Sequence, residues 1–200
     1  MVVMENILVA MATFAFVGAV TPGPVNILAT STAINFGVRE AVKHVVGASV
    51  AYAAVVFFSG SVMQLLLSLL PKMELGMWVC GSVYLFYLAY KIFTAPVSGI
   101  DASKKRRSGL WTGSLTQLLN PKAWLVAMSG ISLFVVGQDD EQTYLMLFTL
   151  VSLVICLIGV GVWAVIGTVL ANYLDNPVQQ RHFNRVMSVL LAVSVTMMWL

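Results

Sequence analysis

Charged residues are spaced so widely along this chain that the stretches between them give the first structural reading. No Asp, Glu, Lys or Arg lies between Glu5 and Arg39, and a bilayer's hydrocarbon is crossed by about 20 mostly apolar residues. On that measure the chain holds six crossings, within 6–36, about 45–70, about 75–94, about 109–137, 142–171 and about 184–200. Lys122 alone interrupts the fourth. Polar connections separate them: a turn at 71–74, a stretch with Asp101 and the run Lys104, Lys105, Arg106 and Arg107, an acidic turn at Asp139, Asp140 and Glu141, and the stretch 172–185. The expected fold is an all-α integral membrane protein of six transmembrane helices, a single transmembrane transporter domain over 1–200.

Composition agrees: 60% of the 200 residues are hydrophobic, 10% are charged, and mean hydropathy is +0.92. So little charge cannot cover a water-soluble domain. The first segment lacks a basic leader region and a convincing small-residue cleavage site, so it is expected to be a retained span. Cys80 and Cys156 fall in the third and fifth apolar segments, where thiols pack as small hydrophobes and a disulfide is not expected.

Charge sets the expected orientation. Connections one, three and five carry Arg39, Lys43, Lys91, Lys104, Lys105, Arg106, Arg107, Arg181 and Arg185, whereas the opposite side carries only Lys72. The positive-inside rule then puts those connections in the cytoplasm and both termini outside. The +3 net charge and pI near 9.0 follow from basic residues beside membrane ends, which suit anionic lipid headgroups better than nucleic acid.

Three spans on each side of a long basic connection, 96–107, suggest a 3+3 inverted repeat with halves of about 1–95 and 108–200. Its first spans share an interruption: Thr21-Pro22-Gly23-Pro24 in one and Asn120-Pro121-Lys122 in the other. At 1.5 Å per residue, Pro22 lies roughly 24 Å from the outer end of its span and Pro121 roughly 18 Å from the inner end of its own. Both therefore fall in the middle half of a core about 30 Å thick. Broken helices in corresponding spans point to a transporter's binding site.

The chemistry of these breaks follows from proline. Without an N–H, Pro22, Pro24 and Pro121 leave the carbonyls of Gly18, Val20 and Gln117 without their usual helical partners. Such carbonyls suit an ammonium group. Thr21 and Gly23, each preceding a proline, are pushed out of the helical region, so the chain is expected to unwind over 21–23 and restart with Pro24 near N1. Asn120 is placed to cap a helix beginning at Pro121. The restarted helices aim unpaired N–H groups and a positive dipole end inward, which suits a carboxylate. Lys122 adds a cation whose burial costs roughly 2.5–3.5 kcal/mol on insertion scales, so it is expected to face a cavity or partner. With no acidic residue in the spans to pair with it, a ligand carboxylate, a carbonyl, water or Asn26 is left.

Weaker signals accompany these. Gly47 with Ala51, and Gly159, Gly161 and Gly167, offer small faces for close helix packing. Tyr84, Tyr87 and Tyr90 form a drifting face suited to packing or cavity lining. His44, at the start of the second span, reads as an interfacial residue, with proton handling as the alternative. The sequence displays no metal cluster, phosphate loop or nucleophile–base pair, so neither an enzyme nor a cofactor is expected.

In TPGPVNILA, GVREAVKHVVGAS, VYLFYLAYKIF and GSLTQLLNPKA the chain resembles the LysE/RhtB family of bacterial inner-membrane amino-acid exporters over nearly its whole length. The branch most similar exports cysteine and O-acetylserine, homoserine, threonine or related small amino acids. One departure stands out: relatives commonly read TPGPN, whereas here Val25 intervenes and Asn26 follows. The resemblance implies export from the cytoplasm driven by the proton gradient, and the two breaks place Thr21, Pro22, Gly23, Pro24, Asn26, Gln117, Asn120, Pro121 and Lys122 around the substrate. Membrane lipids and protons are the other expected partners, and homo-oligomerisation is left open. A channel using the same breaks as a pore constriction is the alternative.

Overall fold

The computed structural model describes residues 2–95, 109–174 and 176–196. The expected 96–107 connection with its basic run, and the end of the expected sixth span, lie outside the described residues, as do the side chains of 2–4, 63–74 and 77, Lys72 among them. All regular structure among the described residues is helical: α1 Val2–Val20, α2 Pro24–Phe36, α3 Val38–Ser61, α4 Met63–Phe93, α5 Gly109–Leu118, α6 Pro121–Phe134, α7 Glu141–Ala171 and α8 Pro177–Thr196. The expected first span is the pair α1 and α2, bent by 61°. The expected fourth is α5 and α6, broken at Asn120.

The protein is an all-helical membrane protein. Among the described residues, α3 and α7 are each long and apolar enough to cross a bilayer, and the bent pair α1–α2 makes a third if it is one broken span. The apolar part of α4, Trp78–Phe93, is shorter. One boundary moves: α4 begins at Met63 and runs on through 71–74, so the turn expected there lies instead at Val62. Ser59, Gly60 and Ser61 are weak helix formers that compete for or expose the backbone, and the chain breaks directly after them.

Most packing is organised around α3, which lies against α5, α7, α2 and α6. The contact with α5 is backbone against backbone. Any side chain at Gly113 would strike the His44 carbonyl, and one at Gly47 the Leu110 carbonyl. Gly159 of α7 meets Ala19 in the same way, and Gly167 meets Thr30 and Ala33, so three of the expected small residues are packing sites. Gly161 has open space beside it. Phe14, Phe134 and Phe148 join α1, α6 and α7 with ring centroids 5.6 to 6.4 Å apart, pairs worth about 0.5–1.5 kcal/mol each beyond their buried area.

These contacts sort the helix ends. Gly109 opens α5 beside Glu40 in the first turn of α3. Asn35 near the end of α2 exchanges amide hydrogen bonds of 2.9 and 3.0 Å with Asn184 of α8. Arg185 lies over the Phe93 ring at the end of α4. The ends of α2 and α4 and the starts of α3, α5 and α8 therefore meet at one pole, with Arg39, Lys43, Lys91, Arg181 and Arg185. Gly60 packs on Leu145, placing the acidic turn before α7 at the other pole.

Candidate functional site

The two interruptions, about a hundred residues apart in sequence, face each other across one cavity of about 440 Å³, its open mouth included. From the first break, Thr21, Gly23 and Asn26 line it; from the second come Gln117, Asn120 and Lys122. Pro22, Pro24 and Pro121 are not among the lining residues. They act on the backbone, as Pro24 and Pro121 stand at the first positions of α2 and α6, where their missing N–H costs nothing. Gly23 caps α2 in extended conformation, with φ −168° and ψ 178°.

Asn26, 4% exposed, holds the first break together. Its amide nitrogen donates to the Ala19 carbonyl at 2.9 Å and to the Thr21 carbonyl at 3.0 Å. One side chain from the restarted helix thus ties down the end of α1 and the first unwound residue. Both amide protons are spent inside the protein, and only Oδ1 is left for a ligand. Asn120 caps α6 as its position requires, Oδ1 accepting from the Lys122 amide at 3.2 Å. Gln117 is 8% exposed, and its side-chain amide has no partner among the described residues. It is the free polar group of the cavity.

Lys122 reaches across the cavity, where its Nζ lies 3.4 Å from the Thr21 carbonyl, a long contact with room for a stronger partner. A side chain at Gly23 would meet that Nζ at 3.8 Å, an ordinary contact, so Gly23 stands directly beside the cation. Lys122 is the one charged residue among those lining the cavity. The opposite wall is Val25, Tyr52, Val126, Cys156 and Val160.

Two expectations about the freed carbonyls change. The Val20 carbonyl accepts from the Trp163 indole at 3.1 Å, and Gln117's carbonyl accepts from the Asn120 amide at 3.2 Å in a tightened last turn. The carbonyl of Gly18, itself a lining residue of the cavity, remains with that of Thr21 to meet an ammonium group. Trp163 also accepts through its own carbonyl from the Thr30 hydroxyl at 2.9 Å, so α7 grips the bent pair before and after the bend. Trp163 escaped notice in the sequence, yet it lies four residues from Gly159 and four from Gly167, on the very face those glycines mark.

Other residues land elsewhere than expected. His44 is fully buried rather than interfacial, its Nε2 3.1 Å from the Val25 carbonyl and its Nδ1 without a partner. Glu40, 1% exposed, is a buried carboxylate at the basic pole that accepts from Lys43 at 2.7 Å and from the Gly109 amide at 2.9 Å. Tyr87 and Tyr90 face outward and Tyr84 packs against the cluster around Leu85 and Leu191; none of the three lines the cavity. Cys156, read only as a small hydrophobe, is part of its wall.

Comparison with known proteins covers nearly the whole chain. Residues 16–198 match the family model described as LysE type translocator. The cysteine/O-acetylserine efflux protein of Salmonella typhimurium is 29% identical over 188 residues, 94% of this chain and 92% of that protein. Its namesake in Escherichia coli K12 is 27% identical over 189 residues, 94% and 93% of the two chains. No solved structure gives a significant match.

Proposed function

The chain belongs to the LysE type translocator family, and from that premise we propose that it exports small neutral amino acids, of the cysteine and O-acetylserine kind, across a bacterial inner membrane. The observation that carries this reading is the cavity where both helix breaks meet around one cation. In it, the α-carboxylate binds Lys122 and the start of α6. The α-ammonium binds the Thr21 carbonyl and the oxygens of Asn26 and Gln117. The substrate's side chain lies against Val126, Cys156 and Val160. A cationic side chain would find no carboxylate there, and burying an unpaired charge is costly, which supports uncharged cargo.

Alternating access follows from six spans in two inverted halves joined by a cytoplasmic 96–107 connection, with both termini periplasmic. Helix packing supports this arrangement. Exchanging α1 to α4 with α5 to α8 turns the contact of α3 with α5 into that of α7 with α1, and α2 with α7 into α6 with α3. The contacts of α3 with α7 and α4 with α8 map onto themselves and lie across the exchange axis. The halves rock about that axis and expose the cavity to each side in turn, driven by the proton gradient.

Lys122→Met at equal membrane abundance tests the site. A charge-assisted bond contributes about 1.5–3 kcal/mol, so the variant should lose tenfold or more of its efflux from cells preloaded with labelled O-acetylserine, and undiminished efflux would refute the carboxylate role. In proteoliposomes, saturable counterflow is expected, where a channel would give neither saturation nor counterflow. A protonophore should abolish uphill export and spare counterflow.

A further inference from the structure

A second cavity, of about 480 Å³ with its mouth included, opens at the basic pole between the end of α2, the end of α4 and the start of α5. It shares no residue with the first. Yet the same two broken elements build both: α2 gives Val25 and Asn26 to one and Ser31, Thr32 and Asn35 to the other, while α5 gives Gln117 to one and Thr112 to the other. Five to ten residues of α2, about 7.5–15 Å at the helical rise, separate these two sets of polar and lining positions. The turn of α5 between them is shut, with Gly113 against the His44 backbone and Thr116 fully buried.

The lining is mostly apolar, with a few polar groups set into it. Thr32 is 8% exposed, and its hydroxyl has no partner among the described residues, although an interior helical threonine usually bonds the carbonyl one turn back. Asn35 is fixed by Ser31 and Asn184. Lys91 stands at the rim with its Nζ 5.6 Å from the Tyr87 ring centroid, unpaired with any carboxylate among the described residues. Leu28, Leu88 and Ile92 supply an apolar floor. One cation, one polar side chain without a partner among the described residues and an apolar surface repeat the chemistry of the first cavity.

We propose that this is a second, separate binding site for the carboxylate of an amino acid, held by Lys91 and the Thr32 hydroxyl, where cargo loads before it reaches Lys122. The loading role rests on the export reading; binding at the site does not.

Cysteine protection separates the two. Ala95→Cys, on the lining of this cavity but outside the pair that holds the carboxylate, is labelled in membrane vesicles with an anionic methanethiosulfonate, the parent chain supplying the background from Cys80 and Cys156. O-acetylserine should slow the added labelling by 1 + [L]/Kd, about fourfold at three times the dissociation constant. The protection should persist when Lys122→Met, or Lys122→Gln should that variant be poorly inserted, has disabled the first site. It should vanish with Lys91→Gln, which should also remove the preference for an anionic over a cationic reagent. Absent protection, protection lost with Lys122, or protection indifferent to Lys91 would each overturn the second site. Export is read independently, by efflux from cells carrying the unaltered chain.

Discussion

At the scale of single residues, the bend between α1 and α2 depends on two side chains from outside the unwound segment. Asn26 bonds Ala19 and Thr21, and Trp163 bonds Val20, so three successive acceptors that proline would have orphaned or exposed are accounted for. An unsatisfied buried acceptor costs about 1–3 kcal/mol. Asn26→Leu, close in volume, should therefore lower the unfolding temperature in detergent and raise the KM for efflux, because Thr21 is then free to turn away from Lys122. Trp163→Phe keeps the ring and removes one donor. It should be the milder variant, destabilising by about 1–3 kcal/mol, with KM rising more than maximal rate falls. An unchanged KM in both variants would show that the bend holds its shape without them. Val25, standing where the related motif carries asparagine, contributes a buried apolar wall and the carbonyl that meets His44; the clamp in this chain is Asn26.

Individual helices are fixed by small residues and caps. Gly113 permits α5 to touch the backbone of α3 at His44, and overpacking such a contact costs about 1–3 kcal/mol or more. Gly113→Val should thus destabilise the protein measurably, whereas Gly161→Val, beside open space, should not; equal melting temperatures would refute the packing argument. The start of α7 is capped by Asp140, which accepts from the Thr143 amide at 3.1 Å and its hydroxyl at 2.6 Å. The Thr143 hydroxyl and then its amide hold this carboxyl below the ordinary carboxylate range. A folded pKa below the unfolded one contributes stability above the unfolded value and loses it as pH falls through the folded one. The melting-temperature gap between the parent and Asp140→Ala should hold steady near neutrality and close as pH drops below about 4. The breaks and caps at Gly23, Pro24, Asn120 and Pro121 were legible in sequence because proline and asparagine constrain their own backbone. The partners of the freed carbonyls were not, since Trp163 reaches Val20 over 143 residues and no local rule names a tertiary donor. The turn at Val62 was missed for another reason: Pro71 and Lys72 look like a boundary by composition, while Ser59, Gly60 and Ser61 break the helix by weak propensity.

For the whole molecule, the partition of charge between the poles bears on direction. Arg39, Lys43, Lys91, Arg181 and Arg185 gather where α2, α3, α4, α5 and α8 meet, and the other pole carries the acidic turn of Asp139, Asp140 and Glu141. Cationic residues near span ends are retained in the cytoplasm during insertion, so on the proposed reading the second cavity faces inward and is the exporter's loading face. A phosphatase active only in the periplasm, fused after Leu200, should then be active, and the same enzyme inserted between Ser103 and Lys104 should be inactive. The reverse pattern would turn the molecule over, placing Lys91 outside and making the proposed loading site a release site. Transferring charge is the stronger test: replacing Arg39, Lys43, Arg181 and Arg185 by Gln together should weaken the bias and yield a mixed population of fusion activities. Single replacements should leave it intact, because the bias is summed over several connections.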